Sequence, residues 1–86
     1  MSVLSKNVIP GKQGRVFGTN VKRNTDLESI REKLLDLDGI EEVKLNFESF
    51  PKEFIVFTNK LVRVEDVEDM VISTGFHAIP KENLDI

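Results

Sequence analysis

A single histidine, His77, two methionines and no cysteine make up the soft-donor inventory of this sequence. Thiolate metal sites, cysteine nucleophiles and disulfides are thereby excluded. As a functional group His77 would be a proton shuttle or a lone ligand. No partner for it can be identified, so it reads as a strand residue beside Phe76. The acids Glu65, Asp66, Glu68 and Asp69 fall in the first turns of a helical pattern, where they complement the helix dipole. A hard-cation site would need them on a loop. Lys22, Arg23 and Asn24 stand just before another helix start. Free amides and two positive charges there suit an anion or an acidic partner; the alternative is a solvated basic loop. No acid–base or nucleophile–base pair can be assembled, so the chain is not expected to be an enzyme and needs no cofactor.

The elements that must position these groups follow from periodicity. Arg15 to Val21 has the β-branched and aromatic content of a strand, with Gly18 marking a close approach or a bulge. Thr25-Asp26-Leu27-Glu28 has the spacing of a capping box. Leu27, Ile30, Leu34 and Leu37 then form one face of a helix that Asp38-Gly39 closes. Val43, Leu45 and Phe47 alternate with polar residues as a half-buried strand. Pro51 lies in a turn, and Phe54 to Phe57 is apolar on both faces, as in a central strand. Val64, Val67 and Val71 mark a second helix, which Gly75 closes. Phe76 to Ile79 is a last strand stopped by Pro80, and the rest reads as a loose tail. Strand, helix, strand, strand, helix, strand is the order of a ferredoxin-like βαββαβ sandwich, an α+β fold whose antiparallel sheet carries both helices on one face. The expected organisation is an N-terminal segment over 1–14, read as an arm or as a short extra strand at Val8 and Ile9 but not as core, a domain over 15–80 and a tail over 81–86.

Phe17, Phe54 and Val56 pose a register question. They either share the sheet face that the helices leave open, or, one residue out of register, they are core. The first reading makes an apolar interface, covered by the arm through Val3, Leu4, Val8 and Ile9 or by another chain, including a homo-oligomer partner.

The chain's 86 residues, 40% hydrophobic and 31% charged, suffice for one core but not for a deep catalytic cleft as well. A net charge of −3 argues against nucleic acid as the main partner. The charge is uneven: residues 1–23 hold Lys6, Lys12, Arg15, Lys22 and Arg23, and all 15 acids lie beyond them. No membrane span and no signal peptide are visible, which makes the cytoplasm the default location.

The segment from Val16 to Ala78 resembles a heavy-metal-associated domain, the module of copper chaperones and metal-transporting ATPases. Leu34-x-x-Leu37-Asp38-Gly39-Ile40 is similar to the family's closure of its first helix, Val43-x-Leu45 to the strand that follows, and Gly75-Phe76-x-Ala78 to the closure of its second helix. The family's metal motif, Gly-Met-x-Cys-x-x-Cys, would fall on Asn20 to Asp26. Val21 then stands for the methionine, and Arg23 and Asp26 stand for the cysteines. Phe76 keeps the aromatic position near the metal loop. The resemblance implies a ferredoxin-like fold and partner docking at the loop edge. The departure puts the metal site itself in question.

The resulting expectation is a non-enzymatic heavy-metal-associated-like module without its thiolate site, acting by protein contact in a metal-handling context. Its partner would be an acidic or metal-handling protein, with Lys22, Arg23 and Asn24 as the contact residues. Two alternatives are weak or accessory metal binding and a regulatory module for a small anion or metabolite.

Overall fold

A computed structural model describes residues 8–84, with side-chain surroundings as far as Lys81. Its elements are β1 (Val8–Ile9), β2 (Gly14–Thr19), α1 (Asn24–Leu35), β3 (Ile40–Asn46), β4 (Glu53–Thr58), β5 (Val62–Arg63), α2 (Val64–Ile72) and β6 (Ala78–Leu84). The main sheet has four strands in the order β3-β4-β2-β6, every neighbouring pair antiparallel. Leu27, Ile30 and Leu34 of α1 and Val64, Val67 and Val71 of α2 share one buried cluster with Phe17, Val43, Phe54 and Val56. Both helices therefore cover the same sheet face, and the fold is the ferredoxin-like βαββαβ sandwich. The apolar spacings fix this: period 3.6 in the helices, period 2 in the strands.

The open-face reading of Phe17, Phe54 and Val56 is corrected. All three have 0% exposure, and the Phe17 and Phe54 rings stack at 5.3 Å with an 8° interplanar angle. Their cross-strand partners settle the face, because Val56 pairs with Val43 and Phe54 with Leu45. The outer face carries Val16, Ile55 and Phe57 instead, all half-buried. Two lysines lie over part of that stripe. Lys44 lies over the Phe57 ring, 5.5 Å from its centroid. Lys81 crosses Gly18 to reach the Glu53 carboxylate at 2.7 Å. A Cβ on Gly18 would meet the Lys81 side chain at 3.4 Å, so the glycine leaves room for this crossing. Amphipathic side chains of this kind shield apolar surface while their heads stay wet.

Strands reach into both of the segments expected to flank the domain. Ile9 is fully buried in the core, because β1 pairs with β5 beside α2 rather than crossing the open face. Val3 and Leu4 lie outside the described residues. At the other end β6 runs through Pro80 to Leu84, pairing Arg15 with Asn83 and Gly14 with Leu84. Pro80 is tolerated because β6 is an edge strand, where a missing N–H breaks no second ladder.

The helix stops are as the sequence suggests, though the regular helices end a little earlier. After α1 the chain turns at Gly39 with φ +96°, and after α2 at Gly75 with φ +95°. The start of α1 is different. Its N-cap is Arg23, with no side-chain cap hydrogen bond. Asn24 and Thr25 are already helical, so the Thr25 hydroxyl sits too far in to cap, and the capping box does not form. The Ser29 hydroxyl instead donates to the Thr25 carbonyl at 3.1 Å.

Candidate functional site at the loop end of the sheet

Three connections meet at one end of the sheet. They are the β2–α1 loop (20–23), the β3–β4 turn (47–52) and the α2–β6 loop (73–77). The Thr19 amide donates to the Lys52 carbonyl at 3.0 Å, tying the end of β2 to the turn. The His77 amide donates to the Asn20 side-chain oxygen at 2.8 Å, tying the first loop to the last. Val21 is 4% exposed and belongs to the core, with Phe76 packed half-buried against the same cluster. Thus one apolar side chain and one amide side chain hold the β2–α1 loop in place, without any ligand.

The candidate contact residues sit on the outside of this anchored loop. Lys22, Arg23 and Asn24 are exposed, and Asp26 is half-buried in the first turn of α1. The first turn of α1 thus presents amides that no side chain caps, close to two cations. His77 is exposed and contributes its backbone amide here. Met70 is half-buried against the core, as packing requires. The Thr19 hydroxyl, with the residue 3% exposed, is the buried side-chain polar atom without a hydrogen-bond partner among the described residues.

The positions of the two cysteines do not suit the soft cation that the motif carries. Arg23 is a permanent cation, and Asp26 is a hard oxygen donor, whereas Cu(I) is selected by thiolate and thioether. Among the described residues, no group of three or more His, Asp or Glu side chains stands together to hold a metal ion. The loop can attract anions and donate hydrogen bonds.

Sequence reasoning missed two residues at this end. Asn20 bridges the loops, and nothing in a lone asparagine after a strand reveals that. Phe50 is 94% exposed at the β3–β4 turn, and Phe47 is 38% exposed beside it. An aromatic residue inside a turn cluster was the available signal.

No family model and no curated protein sequence matches this chain. Solved structures do, and the arrangement they share is that of the heavy-metal-associated domain. The chain is similar to the first domain of the human copper chaperone for SOD1 in its Cu(I)-loaded form, with TM-score 0.71, 18% identity, and coverage of 84% of this chain and 96% of that one. It is also similar to the yeast copper transporter domain Ccc2a, solved in apo and Cu(I)-loaded states, with TM-score 0.72 and 13% identity over 81% of this chain and 96% of that one. The apo domain of a copper chaperone for superoxide dismutase gives TM-score 0.68 and 19% identity, covering 86% of this chain and 72% of that one. At these identities the likeness shows the fold. No helix among the described residues is long and apolar enough to cross a membrane.

Proposed function

We propose that this chain is a non-enzymatic binding module, built on the heavy-metal-associated fold, that works through protein contacts at its loop end in a metal-handling context. One observation carries the reading. The loop that would present two thiolates is held in place by Val21 and Asn20, yet it ends in exposed Arg23 and half-buried Asp26. Its anchoring survives while its donor set is exchanged for positive charge and free amides. The contacting species is an acidic protein surface, met through Lys22, Arg23 and Asn24. Exposed charges act over about 8 Å at physiological salt and mainly set the rate of encounter.

Competition against a Cu(I) chelator tests the lost thiolate site. The chain should leave the metal with the chelator, and the Arg23→Cys, Asp26→Cys variant should take it. Tight one-to-one binding by the unaltered loop, surviving His77→Ala and removal of Met1, would overturn the reading. The contact is tested by titrating a poly-glutamate peptide and following amide resonances. Shifts should centre on Lys22, Arg23 and Asn24, and should fade in about 0.5 M salt, where the screening length is only a few ångströms. Shifts absent from that loop at low salt would remove the acidic-partner reading.

A further inference from the structure

The other feature that invites a partner is the edge of the sheet at β3. This seven-residue strand ends the strand order, so no described strand lies on its far side. In an antiparallel ladder, alternate residues turn their N–H and C=O groups to one neighbour and then to the other. The Val43 carbonyl accepts a hydrogen bond from Arg31 Nε of α1 at 3.2 Å. Val43 therefore turns outward, away from β4, and by alternation so does Leu45. Between and beside them Glu42 and Lys44 are exposed, opposite Phe57 and Ile55 of β4 on the outer face of the sheet.

An outward residue must meet an outward residue if a second β3 is to pair antiparallel with this one. The available registers therefore differ in steps of two. With Val43 opposite Glu41, which lies where the ladder to β4 is irregular, Glu42 meets Glu42. With Val43 opposite Leu45, Lys44 meets Lys44. With Val43 opposite Val43, Glu42 of each strand meets Lys44 of the other, twice. Like charges directly opposite are destabilising and opposite charges favourable, so the strand is self-complementary in one register. That register places the two-fold axis at Val43. It also brings together the two Arg31 side chains, because each is bound to its own Val43 carbonyl. Arg31 thus opposes pairing in two ways: it occupies the central acceptor, and it repels its symmetry mate.

We propose that β3 is a docking edge for a second copy of this chain, paired antiparallel with Val43 on the two-fold axis, and that Arg31 holds this edge closed. Side chains that cap or charge an edge are a recognised way to keep open strands apart, and strand addition is the mode of association that they suppress. The inference goes beyond the loop-end contact and does not depend on it.

Sedimentation equilibrium of the purified full chain decides the matter. Arg31→Ala should strengthen self-association about tenfold or more, a free-energy change of about 1.4 kcal/mol. Adding Glu42→Lys to that variant should return it to monomer by setting like charges opposite each other. Adding Lys44→Glu as well should restore the dimer. Arg31→Gln keeps a helix-forming side chain, removes the charge and should act in the same direction, which covers any local disturbance by alanine. An Arg31→Ala chain that melts normally and associates no better than wild type overturns the proposal. So does a dimer indifferent to Glu42→Lys.

Discussion

The two ends of α1 differ in how far they hold to the pattern of the family. At its C-terminal end, Leu34 is fully buried, Leu37 packs against the core, and Gly39 turns the chain with positive φ into buried Ile40. Leu34, Leu37, Gly39 and Ile40 answer to packing or to backbone geometry, while Asp38 is exposed and pairs with Lys60. At its N-terminal end, only Val21 is buried, and the positions where the chemistry would sit are exposed or half-buried. The difference teaches which parts of the pattern the fold enforces. Residues that fill the core or set a left-handed turn cannot drift without cost to stability. The exposed positions at the start of α1 lie outside that constraint, so the fold does not dictate which side chains stand there.

The largest effect should come from the buried side of this contrast. Phe54→Ala removes a fully buried ring and its stacked contact with Phe17. The loss should be about 3–5 kcal/mol in urea unfolding. A loss below 1 kcal/mol would return Phe54 to the outer face. Next comes Gly39→Ala. Its φ is +96°, and a Cβ there would lie 2.7 Å from Val62 Cγ2. Backbone strain and the clash together should cost about 2–3 kcal/mol. Gly75→Ala has the same backbone sign, φ +95°, but no atom within 4 Å of the added Cβ. It should cost only the conformational part, about 1–2 kcal/mol. Equal losses at the two glycines would show that the close approach of Val62 does not matter.

The helices and the strand order were legible because their apolar residues recur at helix and strand periods that nothing else imitates. The centrality of the strand at Phe54 to Phe57 was legible for the same reason: apolar side chains fill both its faces. That very property hid the register. With Ile55 and Phe57 nearly as apolar as Phe54 and Val56, alternation within β4 could not say which set faces the helices. The signals lay in Glu53, which shares a face with Ile55 and Phe57, and in β3, where Lys44 leaves only Val43 and Leu45 to point inward. The capping box failed because Thr25 and Glu28 have the right spacing but Thr25 sits two residues past the N-cap, Arg23. A short strand at Val8 and Ile9 was legible, but its pairing with β5, which buries Ile9, joins segments over fifty residues apart and could not be read from two residues. At the candidate site, the exposure of Lys22, Arg23 and Asn24 could be anticipated from charge. The bridge from Asn20 to the His77 amide could not.

That bridge supplies an intermediate test of how the loop is held. Asn20→Ala leaves the His77 amide without its protein acceptor. His77 is exposed, so water can replace the lost oxygen. The cost should be about 1 kcal/mol in unfolding, with amide exchange accelerated from Asn20 to Asn24 and at His77. A variant that loses stability without faster exchange in those segments would show that Asn20 acts elsewhere than at this bridge.

The smallest stability effect belongs to the positions with the largest chemical consequence. Arg23 is exposed and makes no side-chain cap contact, and Asp26 is half-buried in the first turn of α1. Replacing both with cysteine removes one cation and one acid, leaving the formal charge balance nearly unchanged. Asp26 is the acid in the first turn of α1, and its favourable interaction with the helix dipole is typically worth about 0.3–1 kcal/mol. The double variant should therefore unfold within about 1 kcal/mol of wild type in reducing buffer. Adding Cu(I) should then raise its melting temperature and leave that of wild type unmoved, because a ligand that binds only the folded state stabilises it in proportion to occupancy. A double variant that is strongly destabilised without metal would show that Arg23 and Asp26 have become structural, and that this loop is no longer free of the fold's constraints.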